Sequence, residues 1–162
     1  MIMTGGVGCV RVKNYRVLQG NCLDSLQSLE SESVNCCVTS PPYWGLRDYG
    51  EQDQLGLEET PEEYVANMVK VFSEVKRVLT NDGTLWLNLG DSYCGTGHKG
   101  DHVDPKHREG RNGQKVAINN KIKGLKSKDL VGIPWRVAFA LQANGWYLRQ
   151  DIIWHKPNPM PE

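Results

Sequence analysis

Ser40-Pro41-Pro42-Tyr43 follows the short apolar run "VNCCVT" and leads into Trp44 and Gly45. Successive prolines fix φ and supply no amide hydrogen, so the turn is stiff and its carbonyls stay free to accept from a ligand. Ser40 Oγ and the Pro41 carbonyl can together accept hydrogen bonds from an exocyclic amino group. Tyr43 offers a flat face on which a ring stacks, worth about 1–3 kcal/mol per base. An amine held between two acceptors and against an aromatic face suits chemistry on a nucleobase taken out of its stack. A stiff turn with core aromatics would explain the bare tetrapeptide about as well. The elements around it decide between the two.

Those elements alternate. "YRVLQGN" (15–21) reads as a strand ending at Gly20, and "LDSLQSL" (23–29) puts three leucines on one side of a short helix. "SVNCCVTS" (33–40) suits a buried parallel strand that delivers the tetrapeptide at its carboxyl end. The clearest helix is 60–79, with Thr60 as N-cap, Pro61 at the first position and Glu63 completing a capping box. Tyr64, Val65, Met68, Val69, Phe72, Val75 and Leu79 share its apolar face. "TNDG" (80–83) stops it, and "TLWLNLG" (84–90) is a second buried strand. A further helix covers 133–145 with Gly145 as its C-terminal cap, and 146–157 reads as two strands or one bent strand. Asp91 is placed to cap the turn after the second buried strand, and Trp86, Trp135, Trp146 and Trp154 fit the core. This rhythm predicts one α/β domain over 1–162, with a largely parallel sheet whose ligands sit at the carboxyl ends of its strands.

Residues 95–128 break the rhythm: they are glycine-punctuated, lack apolar periodicity and are long for an idle connection. Between 98 and 128 nine Lys/Arg stand against three acids, a balance of +6 in a chain whose total is zero. Alone this reads as a solvated loop; beside a catalytic edge it suits a clamp on phosphates. Lys121, Lys123 and Lys126 are its candidate phosphate contacts, and His155 and Lys156 are expected near the same DNA-facing edge. His98, His102 and His107 fit no metal template. Five cysteines (9, 22, 36, 37, 94) show no CxxC spacing, which argues against a disulfide framework or zinc site and for a reduced, cytoplasmic setting; Cys36 and Cys37 read as core. No apolar run reaches the length of a membrane span, and the first ten residues lack a signal peptide's apolar core. "TGGVGC" (4–9) reads as a flexible terminus rather than a phosphate loop.

Four blocks in one order, "TSPPYWGLRDYG", "GLEETPEEYV", "DGTLWLNLGDSY" and "GWYLRQDIIWHKPNPMPE", resemble the amino-methylating DNA methyltransferases. The resemblance is to the permuted order in which the catalytic motif precedes the cofactor motif. It runs from about residue 15 to the end, apart from the basic loop. It implies a Rossmann-like, mostly parallel S-adenosylmethionine-dependent methyltransferase sheet with a C-terminal antiparallel strand or hairpin. It also implies double-stranded DNA with a flipped target base as partner, and Ser40, Pro41, Pro42 and Tyr43 as the catalytic motif. Family members with Ser at the first motif position are often N4-cytosine enzymes, whereas Asp or Asn is commoner in N6-adenine enzymes, so Ser40 points to cytosine first and adenine second. In that chemistry two acceptors on the amine bias its nitrogen toward a pyramidal form that attacks the sulfonium methyl in line, mostly a matter of positioning and electrostatics. Carbon-5 methylation would need a Pro-Cys thiolate, and the chain has no such pair.

The family's Phe/Gly/Gly cofactor loop does not occur in these residues. In the permuted order it follows the target-recognition region, so the chain resembles the family's N-terminal half, inactive without a complementary C-terminal segment. "GNC" (20–22) departs from the Gly-Asp common at the cofactor's adenine, which leaves Asn21 as a weak cofactor contact. Two other functions fit the residues: a non-enzymatic DNA-binding remnant using the basic loop, and a methyltransferase acting on RNA or protein amines. Relatives of the last kind generally carry Asn where Ser40 stands.

Overall fold

The computed structural model describes residues 8–12, 15–51, 53–95 and 122–158. Its element order is β1 (Gly8–Val12), β2 (Tyr15–Gln19), α1 (Cys22–Gln27), β3 (Val34–Thr39), α2 (Pro61–Val78), β4 (Leu79–Leu87) and α3 (Ile133–Ala143). The class is α/β, and among the described residues the parallel pairing is between β3 and β4, in the register Cys37 to Leu85 and Thr39 to Leu87. One bond from Asn88 N–H to the Thr39 carbonyl (2.9 Å) continues the ladder to the end of β3.

α2 forms where local chemistry dictates. Thr60 Oγ1 accepts from Glu63 N–H and Glu63 Oε2 accepts from Thr60 N–H, each at 3.2 Å, and Pro61 opens the helix. Tyr64, Met68, Phe72 and Val75 recur at helical spacing and are buried against Ile133, Val137 and Leu141 of α3. The last turn of α2 fastens its neighbours. The Arg77 guanidinium donates to the Leu26 and Leu29 carbonyls at the end of α1 (2.8 and 3.1 Å), and Lys76 Nζ donates to the Gly145 carbonyl past the end of α3 (2.8 Å). Positive side chains there meet carbonyls at and just past the negative ends of two helices.

Several expectations need correcting. Gly8 and Cys9 belong to β1, not to a flexible terminus; residues 4–7 lie outside the described residues. β2 pairs antiparallel with β1, because a two-residue connection can join strands only as a hairpin. β4 starts at Leu79 directly after α2, and the 80–83 segment lies within it, with a register irregularity absorbed between Val34 and Cys36. Among the described residues, β3 and β4 are covered on one side only. Cys37, Leu85 and Leu87 pack toward the helices, while Cys36, Thr84, Val38 (77 % exposed) and Trp86 (52 % exposed) form the open face.

The tryptophans are distributed differently from the expectation. Trp44 is fully buried, Trp146 packs partly against the core, and Trp86, Trp135 and Trp154 are exposed. On α3 the core face is Ile133, Val137 and Leu141 at four-residue spacing, which turns Trp135 and Phe139 to the opposite side. Residues 146–157 carry no strand, since an extended segment becomes one only through a partner backbone and none is recorded among the described residues. Their Tyr147, Ile153 and Trp154 stand exposed. No helix among the described residues is long and apolar enough to cross a membrane.

Candidate functional site

β3 ends at Thr39, and the next four residues are Ser40 to Tyr43, at the carboxyl end of the parallel pair as the sequence requires. Ser40 is exposed, Pro41, Pro42 and Tyr43 are half-buried, and Ser40 Oγ donates to the Tyr43 hydroxyl at 3.2 Å. The two prolines differ. The Pro41 carbonyl accepts no hydrogen bond among the described residues, whereas the Pro42 carbonyl accepts from the Tyr64 hydroxyl of α2 at 2.9 Å. Only the first therefore matches the expected free acceptor. Burial, with Glu58 and then Tyr43 nearby, pushes the Tyr64 phenol above its usual range, so it remains a protonated donor.

Trp44 fixes the turn from below. Its Nε1 donates to the Glu58 carbonyl at 2.9 Å, and its own carbonyl accepts from Ser92 Oγ at 2.8 Å. Gly45 N–H donates to the Gly56 carbonyl (2.7 Å), and Gly56 N–H donates to Glu58 Oε2 (2.8 Å). Gly56 has φ +95 and lies where a Cβ would come within 2.9 Å of the Tyr43 carbonyl, so both conformation and space demand glycine. A surface cavity of about 390 Å³ beside this loop is lined by Glu51, Asp53 and Glu58 among others; it excludes Ser40 and Tyr43, and its charge is wrong for phosphate.

The segment after β4 supports the turn from the other side. Asp91 does more than the expected local cap. Its Oδ1 accepts from Ser92 N–H and Ile133 N–H (both 2.9 Å), and its Oδ2 accepts from Gly132 N–H (3.0 Å). Gly132 is the N-cap of α3 and has no side chain to offer, so Asp91 supplies the missing acceptor from across the fold. Asp91→Ala should cost about 1–3 kcal/mol, the range for stranding buried polar groups. A urea titration checks this, and an unchanged midpoint would show the three bonds to be incidental.

The basic loop's stem is anchored at the same place. Val131 N–H donates to the Ser92 carbonyl, Cys94 N–H to the Asp129 carbonyl, and Tyr93 bridges Leu130 antiparallel. Lys123 and Lys126 are exposed on this stem; Lys121 and residues 98–120, with His98, His102 and His107, lie outside the described residues. His155 and Lys156 are exposed, and no hydrogen bond or ion pair joins them to the tetrapeptide. Asn21 is the N-cap of α1, its Oδ1 accepting from Leu23 N–H at 2.9 Å, and it too makes no bond to Ser40–Tyr43. Cys37 is half-buried, and desolvation, then Cys36, pushes its thiol up, away from thiolate chemistry. Cys36 is exposed on the open sheet face rather than in the core.

Sequence reasoning missed Glu58, Ser92 and Tyr64 as supports of the turn. Tyr64 alone left a signal, a tyrosine on an otherwise hydrocarbon helix face. Glu58 and Ser92 act on or through backbone groups, which leave no mark in the residue pattern.

Comparison with known proteins bears on this geometry. Residues 34–162 match a family model described as DNA methylase, the N6/N4 methyltransferase family. The type II methyltransferase M.XycI of Xanthomonas campestris pv. cyanopsidis is 55 % identical over 151 residues, covering 93 % of this chain and 49 % of that protein. M.Cfr9I of Citrobacter freundii is 53 % identical over 90 % of the chain and 48 % of its own length, and M.SmaI of Serratia marcescens 47 % over 93 % and 51 %. The chain thus spans about half the length of the curated relatives it matches. With the Ser-Pro-Pro-Tyr turn at the strand end and the family match running from the first residue of that strand, the chain belongs to the N6/N4 DNA methylase family.

Proposed function

We propose that these residues form the base-binding half of a DNA methyltransferase acting on an exocyclic amine, cytosine N4 in the first place and adenine N6 in the second. The observation that carries the proposal is the pairing at the end of β3. Ser40 Oγ lies 3.2 Å from the hydroxyl of half-buried Tyr43, and the Pro41 carbonyl between them in the chain accepts no hydrogen bond among the described residues. Two acceptors at an amine's hydrogens orient its lone pair, and the ring fixes the base plane. The target is double-stranded DNA with one base flipped out, in a restriction-modification setting and in the cytoplasm; the relatives are named type II methyltransferases.

S-adenosylmethionine supplies the methyl group as an electrophile on a sulfonium. The described residues do not fit its adenosyl part. They contain no glycine-rich loop leading from a strand into a helix, and the oxygen of Asn21, the one candidate contact, is already used as a helix cap. In our reading a complementary segment makes those contacts and completes the Rossmann-like sheet. Lys123 and Lys126 on the stem, with Lys121, His155 and Lys156, would bind phosphates; phosphate contacts position the protein without specifying sequence.

The test is transfer from labelled S-adenosylmethionine to duplex DNA, run over several salt concentrations. The 162 residues alone should give no incorporation, and the chain joined to the half its relatives possess in addition should give N4-methylcytosine on nucleoside analysis. Incorporation by the chain alone would overturn the division of labour, and 5-methylcytosine would overturn the site. In the completed enzyme, reversing Lys121, Lys123 and Lys126 to Glu should flatten the salt dependence of DNA affinity, which runs at roughly −0.9 per phosphate contact. An unchanged slope would remove these lysines from the interface.

A further inference from the structure

Gly90 lies three residues beyond the end of β4, and the Tyr43 ring is folded onto it. A Cβ at position 90 would come within 2.7 Å of Tyr43 Cδ2 and 2.8 Å of Cε2, with Cγ at 3.5 Å. Contacts below 3.0 Å are not tolerated, so even one methyl would force the ring edge outward by the better part of an ångström. Gly90 is not among the glycines held at positive φ, so its backbone would accept alanine without strain. Space for the ring, not freedom of the chain, is what requires glycine there.

We infer that Gly90 is a positioning residue for Tyr43: by leaving no side chain, it sets where the ring lies and so where a stacked base would lie. The inference rests on the base-binding reading above for its consequence, but not for its geometry. The ring has little room to absorb a push. Its hydroxyl accepts from Ser40 Oγ at 3.2 Å, and the Tyr43 carbonyl lies so near Gly56 that a Cβ there would come within 2.9 Å of it. Moving the ring edge outward separates the two groups that together would hold the base. Misplacing a reacting group by about 1 Å can cost on the order of 100-fold in rate.

Two measurements test this. In the 162-residue chain with ring-labelled tyrosine, Gly90→Ala should shift the Tyr43 ring resonances, assigned by their loss in Tyr43→Phe, more than those of the other five tyrosines. Unmoved Tyr43 resonances would overturn the inference. In the completed enzyme, Gly90→Ala should lower turnover by no more than Tyr43→Ala itself does, roughly fivefold to 150-fold, with little change in cofactor KM, and should cost nothing further in a Tyr43→Ala background. A loss that persists undiminished without the Tyr43 ring would mean that Gly90 acts through something else, and would also overturn it. If Tyr43→Ala itself left turnover intact, the base-stacking reading would fall, and the resonance shift would still decide whether Gly90 places the ring.

Discussion

Trp44→Ala should remove about 3–5 kcal/mol of folding stability, the cost of deleting a large aromatic from a packed core. Trp44 is the largest side chain that is wholly buried, and it is packed in one cluster with Tyr64, Met68 and Phe72 of α2 and with Ile133 and Val137 of α3. It sits one residue from Tyr43, so a single buried indole ties the stiff turn to both long helices. Domains of this size are stable by only about 5–15 kcal/mol, so the variant would lose a large share of the total. Trp44→Phe retains most of the burial and loses the Nε1 bond to the Glu58 carbonyl, so it should cost appreciably less. Urea unfolding followed by circular dichroism reads both, with the midpoint falling and the slope unchanged. A cost below about 1 kcal/mol for Trp44→Ala would show that the indole is not the anchor of the turn.

The division between Tyr43 and Trp44 also shows what the sequence could and could not convey. Where structure follows from neighbours in the chain, the reading succeeded. The α2 start is written in Thr60, Pro61 and Glu63, which act on one another within four residues. The two parallel strands and α3 are legible for the same reason, from short apolar runs and four-residue spacing. Past the prolines the periodicity stops, and nothing local says which of two adjacent aromatics turns inward. That is settled by the Glu58 carbonyl and the Ser92 hydroxyl, 14 and 48 residues away along the chain.

The remaining tryptophans fail for a related reason. An exposed Trp86 on a parallel strand, or Ile153 and Trp154 on an unpaired extended segment, is apolar enough to be read as core. Burial depends on a second surface, and hydrophobicity alone does not say whether that surface lies within the same residues. The position of the tetrapeptide at a strand end was legible from the apolar run before it, and it stands out as a candidate because its chemistry is intrinsic: two residues without amide hydrogens, one hydroxyl and one ring. Its supports Gly90 and Ser92 were not, because they act by absent volume or on a backbone group, and of Asp91 only the local cap could be read, not its reach to α3.

If the ring next to the buried indole is the stacking surface, Tyr43→Ala in the completed enzyme should lower turnover by an amount that stacking can supply. Aromatic stacking is worth about 1–3 kcal/mol per base, which is roughly a fivefold to 150-fold loss. Cofactor affinity should hardly change, because no described bond joins the tetrapeptide to Asn21, the one candidate cofactor contact. Tyr43→Phe separates the parts of the effect. It keeps the ring and removes the acceptor for Ser40 Oγ, freeing that hydroxyl, so it should fall only a few-fold. Tyr43 is half-buried, so each variant's thermal stability is measured with its kinetics. A turnover loss at 25 °C in a variant that remains folded belongs to the base; a loss that tracks unfolding belongs to packing. Turnover of Tyr43→Ala within two- or threefold of the unaltered enzyme would place the ring in the scaffold and leave Ser40 and the Pro41 carbonyl to hold the amine by themselves.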